Sequence, residues 1–377
     1  MRDNYDTILE SRVLRVLLGE NKTATGVEFV PRSATDASQA RTVSARKEVI
    51  VATGTINTPK MLQASGIGPR AVLEEAGIDV VVDLPGVGFN FQDHPVGGGA
   101  TFILTNFNIR PDPSDLQSNA TFRDEAQAEF AQFRTGPLSI ASGNLMAFLP
   151  FSVISSKAET IASALEDQDP AAYLPPGTEK TLLAGYATQK KRLAALLRSD
   201  NSANYNLFLR GANFGGTVVY LHPVSRGTIH VNPANPFFGN PIVDYRAASN
   251  PLDLDILAEF VRYTRRFYTE TSLSQYGPIE ISPGPKVTSD EALREALRSS
   301  LSPTCFHPVG TAAMMLRELG GVVSELLGVY GVSGLSVVDA SIVPDLPGAY
   351  TQQPTYAIAE KAADLIKRRA RRCPRAL

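Results

Sequence analysis

The chain has 377 residues, 43% of them hydrophobic, enough to bury a sizeable core and to form two domains or one large one. A formal net charge of −2 gives no basic face for nucleic acid, no apolar run approaches the ~20 residues of a membrane span, and the start, MRDNYDTILE, lacks the apolar core of a signal peptide. Two cysteines, Cys305 and Cys373, support neither a disulfide framework nor a thiolate metal site, so the sequence reads as soluble and cytoplasmic, without nucleic-acid or membrane partners, with secretion left open for a longer product.

The predicted elements begin with a hairpin: TILESRVLRVLL at 7–18 and TGVEFV at 25–30 flank the polar turn GENKTA. After a polar loop, Val49, Ile50, Val51 and Ala52 form an unbroken apolar run, the pattern of a strand covered on both faces inside an α/β sheet. A helix is expected next, with Thr58 as N-cap, Pro59 at its first position and Gly66 closing it, and PRAVLEEAG repeats the design. From about residue 96 the βα texture stops. There YNLFLRG, GGTVVYLHP, GTIHVNP and NPIVDYR read as antiparallel strands, backed by an amphipathic helix at 253–271 that turns Leu254, Leu257, Phe260, Val261 and Tyr263 or Thr264 inward. After residue 300 the βα texture returns with the strand LSVVDASIVP and a helix at 352–372 burying Tyr356, Ala359, Ala363 and Ile366. The basic run KRRARRCPR reads as a solvated helix end.

Three chemistries compete for this chain. A serine hydrolase needs a G-x-S-x-G elbow, which is absent. A metal enzyme needs clustered ligands, but His94, His222, His230 and His307 are scattered, with QDHP the one carboxylate–histidine pair close in sequence. A nucleotide-cofactor enzyme fits better: Gly54 in VIVATGT lets a ligand approach the backbone, and AYTQQPTYAIAEK aims a helix N-terminus from a loop. Neither GIG nor GVG completes a dinucleotide fingerprint. His307, in CFHPVGTAAMM, is on residue type alone an ordinary core histidine.

GTINTPKMLQASGIGP resembles the second signature of the glucose-methanol-choline (GMC) flavin oxidoreductases. LPGVGFNFQDHP, HPVSRGTIHVNP, CFHPVGTAAM and GLSVVDASIVPDLPGAYTQQPTYAIAEKAADLIK resemble further blocks of that family in the same order, and the pattern is closest to fungal aryl-alcohol-oxidase-like and versicolorin-B-synthase-like members. The resemblance implies FAD as cofactor and a small-molecule alcohol as substrate, in fungal secondary metabolism. The implied fold is a partial GMC fold, α/β with α+β elements. Its FAD-binding domain would occupy 1–95 and 301–377 without the N-terminal βαβ unit, and its substrate domain, an antiparallel sheet backed by helices, would occupy 96–300. The chain is thus expected to be the C-terminal two-thirds of such an enzyme, from a truncated gene model or as a remnant unable to hold FAD.

By the same resemblance His307 is the general base that takes the alcohol proton, kept dry by Phe306 and Pro308. Val13, Ala52 and Gly54 would lie along the ADP portion, Asp339 and Ala340 beside the ribityl-pyrophosphate, and Gln353 and Pro354 beside the flavin ring. Val13 and Ala52 are also expected in strand cores whatever their role. The second active-site position, His or Asn in the family, is Tyr350, which can donate a hydrogen bond to a substrate oxygen but, with a pKa near 10, cannot share a proton as an imidazole does. That departure keeps a non-redox cyclase or lyase on the same scaffold as an alternative.

Overall fold

The computed structural model describes residues 4–108, 110–140, 145–209 and 215–372; Cys373, the end of the basic run and the Arg210–Gly211 end of YNLFLRG lie outside them. The expected hairpin forms from β1 (Ser11–Leu18) and β2 (Ala24–Pro31), and β3 (Arg41–Ser44), from the tail of the polar loop, joins its edge. All four β3 residues are exposed, so no buried alternation marks this strand in the sequence.

β4 (Val49–Val51) pairs in parallel with the strand Leu335–Val337. Its burial alternates: Val49 and Val51 are inside, but Ile50 is 44% exposed, so β4 is covered on one face only, contrary to the sequence reading. Helix α1 follows at once as Gly54–Ala64, with Thr53 at the N-cap position but no capping bond from its side chain. It begins five residues earlier than predicted and carries Pro59 in its interior. Proline removes the N–H that would bond to the carbonyl four residues back. That carbonyl, on Thr55, instead accepts the Thr311 hydroxyl at 2.6 Å. Gly66 ends the turn as expected at φ +78°, where a side chain would strike the Asp79 carbonyl.

Two apolar cores result. One joins Val51, Leu62 and Val87 to Val322, Val337 and Ala362 from the far end of the chain. The other gathers Phe102, Phe151, Tyr205, Tyr220 and Leu257 around Phe260. Here the helix Pro251–Thr269 underlies a three-stranded antiparallel sheet in the order Thr217–Tyr220, Ala203–Leu209, Leu145–Pro150. Leu254, Leu257, Phe260, Val261 and Thr264 face inward as read, with Tyr263 partly so. Tyr205 and Tyr220 meet Phe260 edge-on at 5.1 and 5.5 Å, each pair worth ~0.5–1.5 kcal/mol beyond area burial. The strands Thr228–His230 and Ile242–Asp244 form a separate pair, and the first of them packs on α1.

The helix Gln352–Arg372 forms over the expected span but buries the neighbouring stripe: Ala362 is buried, Ile358 and Leu365 pack beside it, and Tyr356 is 69% exposed. Both stripes satisfy helical spacing, so periodicity could not choose between them. Among the described residues no helix is long and apolar enough to cross a membrane.

Thr311→Val should leave the Thr55 carbonyl unpaired and lower stability by about 1–3 kcal/mol. Urea unfolding would show it as a lower midpoint with an unchanged slope, and an unchanged midpoint would mean the bond is dispensable. Burial also holds His94 to a pKa of about 3 and His222 and His230 to about 4. An unfolded imidazole binds its proton below about pH 6.5. Stability from these groups is therefore complete above that pH and falls as acid is added down to about 3–4; His94 alone accounts for about 2 kcal/mol between pH 7 and 5. A midpoint change between the two pH values that is as large in His94→Gln as in the unsubstituted chain would contradict this.

Candidate active site

The site is assembled on one carboxylate. Asp93, buried, accepts the backbone N–H of its neighbour His94 at 2.7 Å and, from the far end of the chain, the N–H groups of His307 at 3.0 Å and Cys305 at 3.3 Å and the Thr304 hydroxyl at 2.5 Å. Burial raises its carboxyl above the ordinary range and the four donors oppose that rise. Phe306 stands between the two converging N–H groups in the left-handed region at φ 60°, a conformation uncommon for a bulky residue. It is 87% exposed and shields nothing, which corrects the expectation that it keeps His307 dry.

Held this way, the His307 Nδ1 lies 3.0 Å from Nδ1 of His94, whose Nε2 is 3.1 Å from the Pro347 carbonyl oxygen. The other nitrogen of His307, Nε2, finds no hydrogen-bond partner among the described residues. Partial burial lowers the His307 pKa, so the ring is neutral at neutral pH. The Tyr350 ring tilts against His307 at 4.7 Å, and Phe148 meets Tyr350 edge-on at 6.3 Å. Tyr350 donates its O–H to Asn206 Oδ1 at 3.2 Å, while the Asn206 amide donates to the Ala147 carbonyl, which fixes its orientation. In this structure the tyrosine O–H points to Asn206, a partner that the sequence reading, which gave it a substrate oxygen to donate to, did not name. Burial and the Asp93 charge push the Cys305 thiol pKa up, so it stays protonated.

The segment before Tyr350 is held by polar side chains. The Pro344 carbonyl accepts from Asn90, Gln92 and Gln189 at 2.8 to 3.0 Å. Gln92 Oε1 accepts the Leu346 N–H at 3.1 Å, and His222 Nδ1 lies 3.1 Å from the Leu346 carbonyl. Arg192 pairs with Asp345.

Four of the cofactor candidates come together where β4 and its parallel partner end side by side. Asp339 accepts from the Gly54 N–H at 3.0 Å, the Thr58 hydroxyl at 2.5 Å and the Ser341 N–H at 2.8 Å, binding the α1 N-terminus to the turn that carries Ala340. Gly54 has φ +81° and open space where a side chain would stand, so a ligand can approach its backbone. Ala52 is exposed at this ledge, and Val13 is 38% exposed on the hairpin, so neither is the core residue expected. None of the hydrogen bonds that build the ledge involves Val13. Gln353, exposed, and Pro354 lie in the first turn of the helix that begins two residues after Tyr350. Thr55 ties the ledge to the His307 loop: its hydroxyl donates to the Pro308 carbonyl at 2.7 Å while its own carbonyl takes Thr311.

Sequence reasoning missed Asp93, His94, His222 and Asn206. The QDHP pair was the available signal, since it repeats the His-Pro step of the His307 block, but nothing local says that the two meet. Among the described residues no cluster of three or more His, Cys, Asp or Glu side chains is arranged to hold a metal.

Two GMC oxidoreductase family models match the chain, over residues 1–96 and 223–359. Dehydrogenase xptC of Emericella nidulans is 34% identical over 97% of this chain and 58% of its own length. An FAD-dependent oxidoreductase from Chaetomium thermophilum superposes with a TM-score of 0.91 at 33% identity, covering 98% of this chain and 63% of that one. A fungal aryl-alcohol oxidase gives a TM-score of 0.90 at 35% identity, with 97% and 61% covered. The chain therefore spans about three-fifths of the length of the relatives it matches. Matched by both family models in chain order and superposable on such oxidoreductases almost throughout, the chain belongs to the GMC oxidoreductase family.

Proposed function

We propose that the protein is an FAD-dependent oxidoreductase that oxidises an alcohol to a carbonyl, with His307 as the base. The observation that carries this reading is the Thr55 tie: a residue on the first turn of α1 joins the open backbone ledge at Gly54 to the loop bearing a neutral imidazole with an unpartnered nitrogen. The ledge suits a nucleotide cofactor. Backbone at Gly54 is open to a ligand at the carboxyl ends of two parallel strands, with Ala52 exposed beside it, and the Chaetomium neighbour is itself named as FAD-dependent.

Bound there, FAD would supply the two-electron acceptor for the hydride leaving the carbinol carbon. His307 takes the hydroxyl proton at Nε2 and carries it as an imidazolium. Tyr350 covers one side of the imidazole, and Phe148 meets Tyr350 edge-on behind it. The second reading, a non-redox cyclase or lyase, rests on Tyr350 and predicts product without flavin bleaching in an anaerobic single turnover.

His307→Ala should slow anaerobic flavin reduction by an alcohol by roughly 10² to 10⁴ while flavin stays bound. An unchanged rate would place the base elsewhere. Because burial lowers the His307 pKa, kcat/KM should stay level through neutral pH and fall only below the ordinary imidazole value of about 6.5; a fall beginning above it would contradict the assignment. Tyr350→Phe leaves Asn206 Oδ1 without its donor and should cost stability, about 1–3 kcal/mol in urea unfolding. Its effect on flavin reduction should be smaller than that of His307→Ala, and an equal loss would give the tyrosine hydroxyl a direct part in the chemistry.

A further inference from the structure

Two imidazoles that meet Nδ1 to Nδ1 at 3.0 Å share one hydrogen, and the far side of His94 determines which ring owns it. His94 Nε2 lies 3.1 Å from the Pro347 carbonyl oxygen, which can only accept. Nε2 of His94 therefore carries a hydrogen, Nδ1 of the neutral ring is a lone pair, and the hydrogen between the rings belongs to His307.

We propose that His94 is a positioning residue that locks His307 in its Nδ1–H tautomer and so leaves His307 Nε2 unprotonated for the substrate hydroxyl. The inference deepens the reading of His307 as the base and rests on it. Were His94 to carry the shared hydrogen, His307 would have to hold its own on Nε2, and the nitrogen meant to accept a proton would already have one.

The surroundings enforce the arrangement from both ends. One oxygen of Asp93, Oδ1, accepts the backbone N–H of His94 and of His307, which fixes the spacing of the two rings. The carbonyl that orients His94 belongs to the segment held by Asn90, Gln92, Gln189 and His222. His94 is fully buried, and burial opposes a charge on its ring, with no carboxylate paired to that ring to relieve it. When the substrate proton reaches Nε2, the His307 cation keeps its Nδ1–H on the His94 lone pair, and that bond becomes charge-assisted.

The chain has four histidines, so long-range proton–nitrogen NMR spectra of the labelled full chain can read each tautomer, with His307 identified by its loss in His307→Gln. The expected spectrum shows His307 protonated at Nδ1 and bare at Nε2. His94→Ala should move that hydrogen to Nε2 or into exchange and slow flavin reduction roughly tenfold or more, with alcohol affinity little changed. His94→Asn should restore the tautomer and most of the rate, because its Oδ1 stands near the position of Nδ1 and can accept from His307. A wild-type His307 protonated at Nε2 overturns the proposal without any variant, which covers the case in which His94→Ala fails to fold. So does an Nδ1–H tautomer that survives in His94→Ala. If the base reading alone is wrong, the tautomer appears as expected while His307→Ala leaves flavin reduction unchanged.

Discussion

The site depends on the buried carboxylate of Asp93. Four donors end on it, three of them from the segment carrying His307, and that convergence is what lets a residue near position 94 and one near 307 form a single unit. A buried carboxylate without such partners would neutralise or destabilise the fold. With them it fixes backbone, and the left-handed turn at Phe306 is the conformation that lets Cys305 and His307 aim their N–H groups at the same oxygen. The strain at Phe306 is held by these bonds rather than relieved by a glycine.

A second polar construction works on the other side of the imidazoles. Asn90, Gln92 and Gln189 hold one carbonyl, Pro344, and so fix the path of the chain into Pro347 and on to Tyr350. Neutral amides suit this work because they satisfy backbone groups without bringing charge next to a ring that must stay neutral. The charged part, Asp345, turns away toward Arg192. Asn206 does for Tyr350 what His94 does for His307: each accepts a hydrogen from its partner and passes its own to a backbone carbonyl.

The cofactor ledge and the imidazole pair are built from different elements and meet through Thr55. Pro59 makes this possible, since a helix without proline would use the Thr55 carbonyl internally. Freed from the helix, that carbonyl accepts Thr311, and the Thr55 hydroxyl reaches Pro308. A break in helix regularity thereby becomes the joint between two parts of the site. The cooperation is geometric: two hydrogen bonds join the GTINTPK block to the HPVGT block.

The sequence by itself determined the hairpin, the two helix spans at 251–269 and 352–372 to within a few residues, the existence of the strand at Val49–Val51, and the family from five ordered blocks. Those features are local: periodicity, caps and motif order can be read within a window of residues. The buried stripe of the last helix was misread because two adjacent stripes have the same spacing, and Ile50 because an apolar run does not say whether both faces are covered. Only the tertiary structure decided that His94 belongs to the site, that Tyr350 gives its hydrogen to Asn206, and that Asp339 serves α1 as a cap. These bonds join residues 213, 144 and 285 positions apart. A hydrogen bond at such a separation leaves no period in the sequence, and its partner is chosen by how the two cores pack the loops between them.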